Sequence, residues 1–343
     1  MTNAADTHAA ALPELDDAHA ARLLPARDPR GHKGTHGKLL VLAGSLDYLG
    51  AALLVARAAY RAGAGLVRLA LPESLQPLVA GRVPEATTIG LPETDVAGEV
   101  DVEASLDRLL DLDHDAAVVG PGLRPGLATV ELVVDYLTAA GEMTPVVIDA
   151  EALDSLATVA GWWRQVRRPS VLTPHVGELG KLMTAAGDTF DEVPDAETLR
   201  MDDAARARTA TLVAATWGQV VVLKGARTVI AGGAAPATDG GAARAVVAPF
   251  TNPALGTAGT GDVLAGAIGA LLAEGLAPFE AACLGVYLHG SAAEVVRERL
   301  GDAGLIASDL PDEIARVRRR LALLAERRRS GRRLGFSVGE GGA

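Results

Sequence analysis

The residues best equipped for chemistry gather in one stretch, Thr251 to Gly275, TNPALGTAGTGDVLAGAIGALLAEG. Its turn, Gly256-Thr257-Ala258-Gly259-Thr260-Gly261, runs straight into an apolar helical pattern. Glycine has no Cβ and tolerates positive φ, so such a turn lets backbone come close to a ligand. The helix start then adds unpaired N–H groups and the positive end of a helix dipole at one point, which makes an anion hole fit for phosphate. Asp262 falls inside that hole. A carboxylate there repels a neighbouring phosphate unless a proton, a hydroxyl or a metal ion lies between them, and this marks Asp262 as a candidate for chemistry. Its alternative role is to complement the helix dipole at the first turn. The GxxxxGK[ST] loop needs a lysine that is missing here, and the Rossmann loop belongs after an early strand, so neither template describes the turn.

A second signal is scarcity. Of the 32 basic residues only Lys33, Lys38, Lys181 and Lys224 are lysines. A chain that otherwise uses arginine keeps lysine where a compact ammonium is needed in place of a guanidinium fork.

These residues need a scaffold, and the order of apolar runs and tight turns supplies one. Lys38 to Ala43 reads as a strand, followed by an alanine-rich helix from Gly50 to Arg61 and a second strand, LVRLAL. That is a βαβ unit, which implies a parallel sheet with right-handed crossovers. Weak elements occupy Pro72 to Asp113, which reads as a surface excursion. The sheet resumes at Asp115–Val119, Pro145–Ile148, Ser170–Thr173 and Gln219–Leu223. Each run leads into a turn at what must be the carboxyl edge of the sheet, where open α/β sheets bind ligands. Thr228 to Val247, with Gly232-Gly233 and Gly240-Gly241, reads as an antiparallel hairpin at one sheet edge. Helices are expected over Gly261–Glu274 and Pro278–Leu300, with another beginning near Leu310 behind a Ser308-Asp309 cap. The expected architecture is an α/β three-layer sandwich, a mostly parallel central sheet with helices on both faces. Residues 1–30 are expected as an N-terminal arm or short helix leading into the fold, 31–318 as the folded domain and 319–343 as a basic, partly disordered tail whose part from about Arg327 is dispensable.

Composition narrows the function. The 343 residues are 49% apolar but only 3% aromatic, so alanine, valine and leucine must build the core. A net charge of −11 argues against nucleic acid as partner and favours small-molecule ligands. The single cysteine, Cys283, allows no internal disulfide and fits a reducing, cytoplasmic setting. The opening residues lack the basic start and long apolar run of a signal peptide, and no stretch reads as a membrane span.

The turns GPGL, IDAEAL, LTPHVGEL, VVLKGARTVI and NPALGTAGTGDVLAG, in this order, resemble those of the bacterial ADP-dependent NAD(P)H-hydrate dehydratases of the ribokinase-like superfamily. HKGTHGKLLVLAGS, RAGAGLVRLALPES and GLIASDL extend the resemblance over roughly residues 30 to 318. It implies a repair lyase: the S epimer of NADH or NADPH hydrated on its nicotinamide ring is dehydrated with ADP, giving intact cofactor, AMP and phosphate. It also implies Mg²⁺, a homo-oligomer such as a homotetramer, and an NAD(P)H-hydrate epimerase on a separate chain, for which this chain has no room.

The resemblance makes Asp262 the catalytic carboxylate at the damaged ring and places Gly259, Thr260 and Gly261 at the nucleotide phosphates. Lys224, Gly225, Ala226, Arg227 and Thr228 correspond to the nucleotide segment. His175 corresponds to a substrate contact; read from the residues alone it sits near a helix start that Thr173 could cap with Pro174 in the first turn. Gly122 with Ala51 or Ala52 would line the hydrate pocket. Metal ligands stay unassigned, although Asp149 and Glu178 could help hold Mg²⁺ through water. The rival readings are a small-molecule kinase of the same fold, such as a hydroxymethylpyrimidine kinase, and a catalytically silent nucleotide sensor.

Overall fold

The structure is a computed structural model that describes residues 12–139, 143–234 and 243–333. Gly240-Gly241 of the expected hairpin and the last ten residues of the tail lie outside the described residues.

Along the chain run β1 (Lys38–Leu42), β2 (Leu66–Pro72), β3 (Thr87–Leu91), β4 (Ala116–Val119), β5 (Val146–Ile148), β6 (Ser170–Leu172), β7 (Val220–Leu223), β8 (Val229–Ala234) and β9 (Ala243–Val247). They form one sheet in the order β3-β2-β1-β4-β5-β6-β7-β8-β9. β1 to β7 are parallel, and β8 and β9 close the edge antiparallel. The order reverses between β1 and β4, which creates a topological switch point at the carboxyl edge.

Interleaved with the first strands are α1 (Asp17–Leu23), α2 (Leu49–Ala62), α3 (Gln76–Val79), α4 (Val102–Leu110) and α5 (Leu127–Thr138). Then come α6 (Glu151–Leu156), α7 (Val176–Ala185), α8 (Ala196–Met201) and α9 (Asp203–Trp217). The chain ends with α10 (Thr260–Ala273), α11 (Pro278–Leu300) and α12 (Leu310–Arg333).

The sheet is buried on both sides, and β1 shows why its sequence is a continuous apolar run. Leu39 and Val41 enter one core with α2, α10, α11 and α12, while Leu40 and Leu42 enter the other with α5, α7 and α9. Helix α10 is apolar all round and buried from Val263 to Ala273, as such a helix must be. Small residues let it approach α2: a Cβ on Gly266 would lie 2.3 Å from the Val55 carbonyl oxygen. Cys283 is buried in this core, where desolvation pushes its thiol up to about 12.

Three expectations need correction. The stretch from Pro72 to Asp113 is more than an excursion, because β3 pairs with β2 and α4 starts on an Asp101 cap that accepts from Ala104 N at 3.0 Å. Residues 12–30 are more than an arm, since the short helix expected there is α1 and it is packed into the fold: Leu15 N donates to Val247 O at 2.9 Å, Leu15 is buried, and Asp17 of α1 binds Tyr287 and Arg320. The boundary at residue 318 falls inside α12, where Arg318 pairs with the buried Glu274 and Leu321 is fully buried. Its arginine density masked the buried stripe. No helix among the described residues is long and apolar enough to cross a membrane.

Candidate active site

The carboxyl ends of β5, β6 and β7 deliver three charged side chains to one point. Asp149 follows β5 and is 1% exposed, Glu178 lies in the first turn of α7 behind β6, and Lys224 follows β7. Lys224 Nζ stands 2.8 Å from Asp149 Oδ1 and 3.6 Å from Glu178 Oε2. Burial works to lower the lysine's pKa, but the charges of Asp149 and Glu178 outweigh it and hold the ammonium above its ordinary value. Glu178 is pushed up by burial against the pull of Lys224.

The backbone around Asp149 is tightly built. A Cβ on Gly120, whose φ is +121°, would lie 1.8 Å from the Asp149 carbonyl oxygen, so only glycine permits this approach. Ala150 itself adopts φ 51° and ψ −123°, a strained conformation for a residue with a side chain.

Helix α10 brings its start to the same cluster. Gly259, at φ 87°, is its N-cap. A Cβ on Gly261 would stand 3.7 Å from Lys224 Nζ and 4.0 Å from Asp149 Oδ2. The Thr260 hydroxyl donates back into its own loop, to Leu255 O or Thr257 O. The N–H groups of Gly261 and Asp262 have no acceptor among the described residues, as an anion hole requires. Asp262 has its pKa raised to about 7, first by burial and then by the charge of Asp149, with Lys224 opposing. A carboxyl raised this far can hold a proton, and a proton reconciles a carboxylate with an anion site.

His289, on α11, completes this turn and was missed in the sequence. It is 8% exposed, and its Nε2 lies 2.9 Å from Thr260 O. Burial drives its pKa down to about 4, so the imidazole is neutral and Nε2 must carry the proton it gives the carbonyl. Thr260 C=O and Gly261 N–H belong to one planar peptide unit and point in opposite directions. Fixing the carbonyl from behind therefore aims the Gly261 N–H forward. The available signal was a histidine inside an apolar helix, GVYLHGSAAEV.

The other expected residues divide. His175 is itself the α7 N-cap, with Nδ1 accepting from Gly177 N at 3.0 Å and Glu178 N at 3.2 Å while Glu178 accepts from His175 N. Thr173 does not cap: it is buried and its hydroxyl faces Ile148 O, and Pro174 precedes the helix. Gly122, at φ +64°, lies against Ala51 at the β1–β4 switch point, where a Cβ would meet Ala51 Cβ at 2.6 Å. Ala52 is fully buried and faces Gly44, so of the two alanines Ala51 is the one beside Gly122.

In the segment after β7, only Lys224 turns toward Asp262. Gly225, at φ +146°, and Ala226 form the turn, Thr228 donates to Gly225 O, and Arg227 pairs with Glu14 and Asp203. Arg227 and Asp203 line a cavity of about 680 Å³ between α9 and β8. Among the described residues no group of three or more His, Cys, Asp or Glu could hold a metal ion.

A mostly parallel three-layer sheet with a glycine-rich helix start at its carboxyl edge defines a ribokinase-like α/β protein. A family model for NAD(P)H-hydrate dehydratase matches residues 39–316, and the chain belongs to that family. It is 40% identical to a bifunctional NAD(P)H-hydrate repair enzyme of Moorella thermoacetica, over 87% of this chain and 52% of that protein. It is 37% identical to an ADP-dependent (S)-NAD(P)H-hydrate dehydratase of Neisseria meningitidis, over 86% of this chain and 90% of that one. The crystal structure of an ADP/ATP-dependent NAD(P)H-hydrate dehydratase from Bacillus subtilis, obtained with ATP/Mg²⁺, matches with a TM-score of 0.72 and 33% identity, covering 91% of this chain and 100% of that one. The chain spans about half the length of the bifunctional curated relatives it matches.

Proposed function

We propose that the protein dehydrates the S epimer of NADH-hydrate and NADPH-hydrate with ADP as co-substrate, releasing AMP and phosphate. The observation that carries this reading is Asp262, a carboxylate with a pKa of about 7 beside the unpaired N–H groups of Gly261 and Asp262.

Hydroxide leaves a ring carbon poorly, so the hydroxyl must first become a better leaving group. Ionised Asp262 takes the proton of the ring hydroxyl while that oxygen attacks the β-phosphorus of ADP. The bond between β-phosphorus and the bridging oxygen breaks, and AMP departs. The ring nitrogen's lone pair then expels phosphate, and loss of a proton from the adjacent ring carbon restores the double bond. Gly259, Thr260 and Gly261 hold the transferred phosphoryl group at the helix start, with His289 keeping that turn in register.

Lys224 sets the charge of the site through Asp149 and Glu178, and the turn Gly225 to Thr228 flanks the nucleotide. Ala51, Ala52, Gly122 and His175 form the hydrate side, with Ala51 and Gly122 at its surface. Asp149, whose Oδ1 accepts from Lys224, and Glu178 would help hold a Mg²⁺ ion through water at the nucleotide phosphates. When bound, the ion neutralises phosphate charge. An NAD(P)H-hydrate epimerase supplying the S epimer, assembly into a homo-oligomer and a cytoplasmic location belong to the same reading.

The test mixes purified hydrated NADH or NADPH with ADP, and with ATP in parallel, and follows nicotinamide absorbance and free phosphate together. Both should rise in equal amounts. A phosphorylated product that persists without regained absorbance would mark a kinase, and no turnover with either nucleotide would leave only a sensor.

A further inference from the structure

Another cavity lies at the carboxyl end of α2, away from Ala51. It holds about 1110 Å³ between α1, the carboxyl end of α2 and α12, roughly 20 Å along α2 from Ala51. Seven of its lining residues are arginines, and Glu326 is its one carboxylate. Three of the arginines are committed to the fold: Arg27 donates to Gly63 O, Arg61 pairs with Asp312, and Arg318 pairs with Glu274. The other four, Arg22, Arg319, Arg328 and Arg329, have no hydrogen-bonding or ion-pair partner among the described residues.

Elsewhere on α12, Arg316 and Arg320 each meet a carboxylate, Glu313 and Asp17, whereas Arg327 meets none among the described residues. Carboxylates meet two of the seven, Asp312 on Arg61 and Glu274 on Arg318, and leave Arg22, Arg319, Arg328 and Arg329, all exposed, without one among the described residues. Guanidinium groups crowded around one space repel one another, and an anion placed among them relieves the repulsion with charge-assisted, bidentate hydrogen bonds. Leu24, Pro25, Ala322 and Ala325 make the remaining wall apolar. The volume lies just above the range of small-ligand pockets, about 300–1,000 Å³, and the space is concave, unlike a flat macromolecular interface.

We propose that this cavity is a second ligand site, specific for a small molecule bearing a diphosphate, with room on its apolar wall for an organic body. The diphosphate could be free or part of a nucleotide, and the two sources are told apart by titrating inorganic pyrophosphate and ADP separately.

Calorimetry on the full chain should give two pyrophosphate sites. Arg22→Gln/Arg319→Gln/Arg328→Gln should weaken one of them about tenfold or more and leave the other, and the repair activity, unchanged. None of these side chains makes a hydrogen bond or ion pair among the described residues, so the melting temperature should hold. Two ADP sites would assign a nucleotide, whereas two pyrophosphate sites and one ADP site would assign the free diphosphate. On the unmodified protein, pyrophosphate should slow hydrogen exchange in residues 17–30 and 310–333. A single pyrophosphate site that ignores the arginine substitutions, or no exchange protection in those segments, would overturn the proposal. So would retention on phosphatidylserine vesicles without saturable pyrophosphate binding, which would make the patch a membrane-facing charge.

Discussion

His289 Nε2 lies 2.9 Å from the Thr260 carbonyl oxygen, and the same peptide unit carries the Gly261 N–H into the anion hole. His289→Leu removes that donor. It is expected to weaken ADP binding and slow turnover with little change in the affinity for hydrate, while His289→Gln, which keeps a donor, recovers part of both. Separate KM values for ADP and hydrate check this, because a purely structural role would move the two together.

The same histidine has a folded pKa of about 4, below the ordinary 6.5. Between those values the unfolded chain binds the proton and the folded chain refuses it. Its contribution is therefore full above pH 6.5 and declines as pH falls toward 4, by about 3 kcal/mol in total. Denaturant melts from pH 7.5 to 4 should show this loss, and His289→Gln should flatten it.

Asp262, with its pKa raised to about 7, gives the opposite sign. The folded state holds a proton that the unfolded state has already lost, so the stabilisation present below about pH 4 disappears as pH rises through 7. In the proposed mechanism the base form is the working one, so turnover should climb through pH 7 while stability falls. Asp262→Asn should slow phosphoryl transfer by about 10²- to 10⁴-fold, keep or tighten ADP binding, and melt higher than the unmodified protein at pH 8. Single-turnover rates and ADP calorimetry on one preparation decide it, and near-normal turnover would leave Asp262 only its dipole role.

Lys224 was expected chiefly to bind nucleotide, and its contact with Asp149 enlarges the expected effect. Lys224→Ala leaves a buried carboxylate without its partner, a loss of about 3–5 kcal/mol. It also removes the one charge holding Asp262 down, so the acidic limb of the rate profile should move to higher pH. A profile that does not move would detach Lys224 from the base.

Truncation separates two parts of α12. Ending the chain before Arg327 should leave melting temperature and repair activity nearly unchanged, although it removes Arg328 and Arg329 from the second cavity. Ending it before Arg318 deletes the Glu274 pair and the buried Leu321, and the melting temperature should drop by several degrees or more.

Much of this protein was legible in the order of its residues. The run KLLVLA reads as a strand buried on both faces, glycine-rich turns close the strands, and TAGTGD announces a helix start open to an anion, because these are local preferences of backbone and side chain. β3 was hidden because its five residues, TTIGL, form a short edge strand with a glycine inside. The buried stripe of α12 was hidden by the arginines around it. What only the folded chain decided is charge: Lys224 and Asp149 are 75 residues apart in sequence and 2.8 Å apart in space, and His289 reaches Thr260 across 29 residues. A pKa depends on burial and on the distance to other charges, neither of which a local sequence contains. The residue type made Asp262 an acid, but its burial at the start of α10, with the charge of Asp149 beside it, is what raises its pKa.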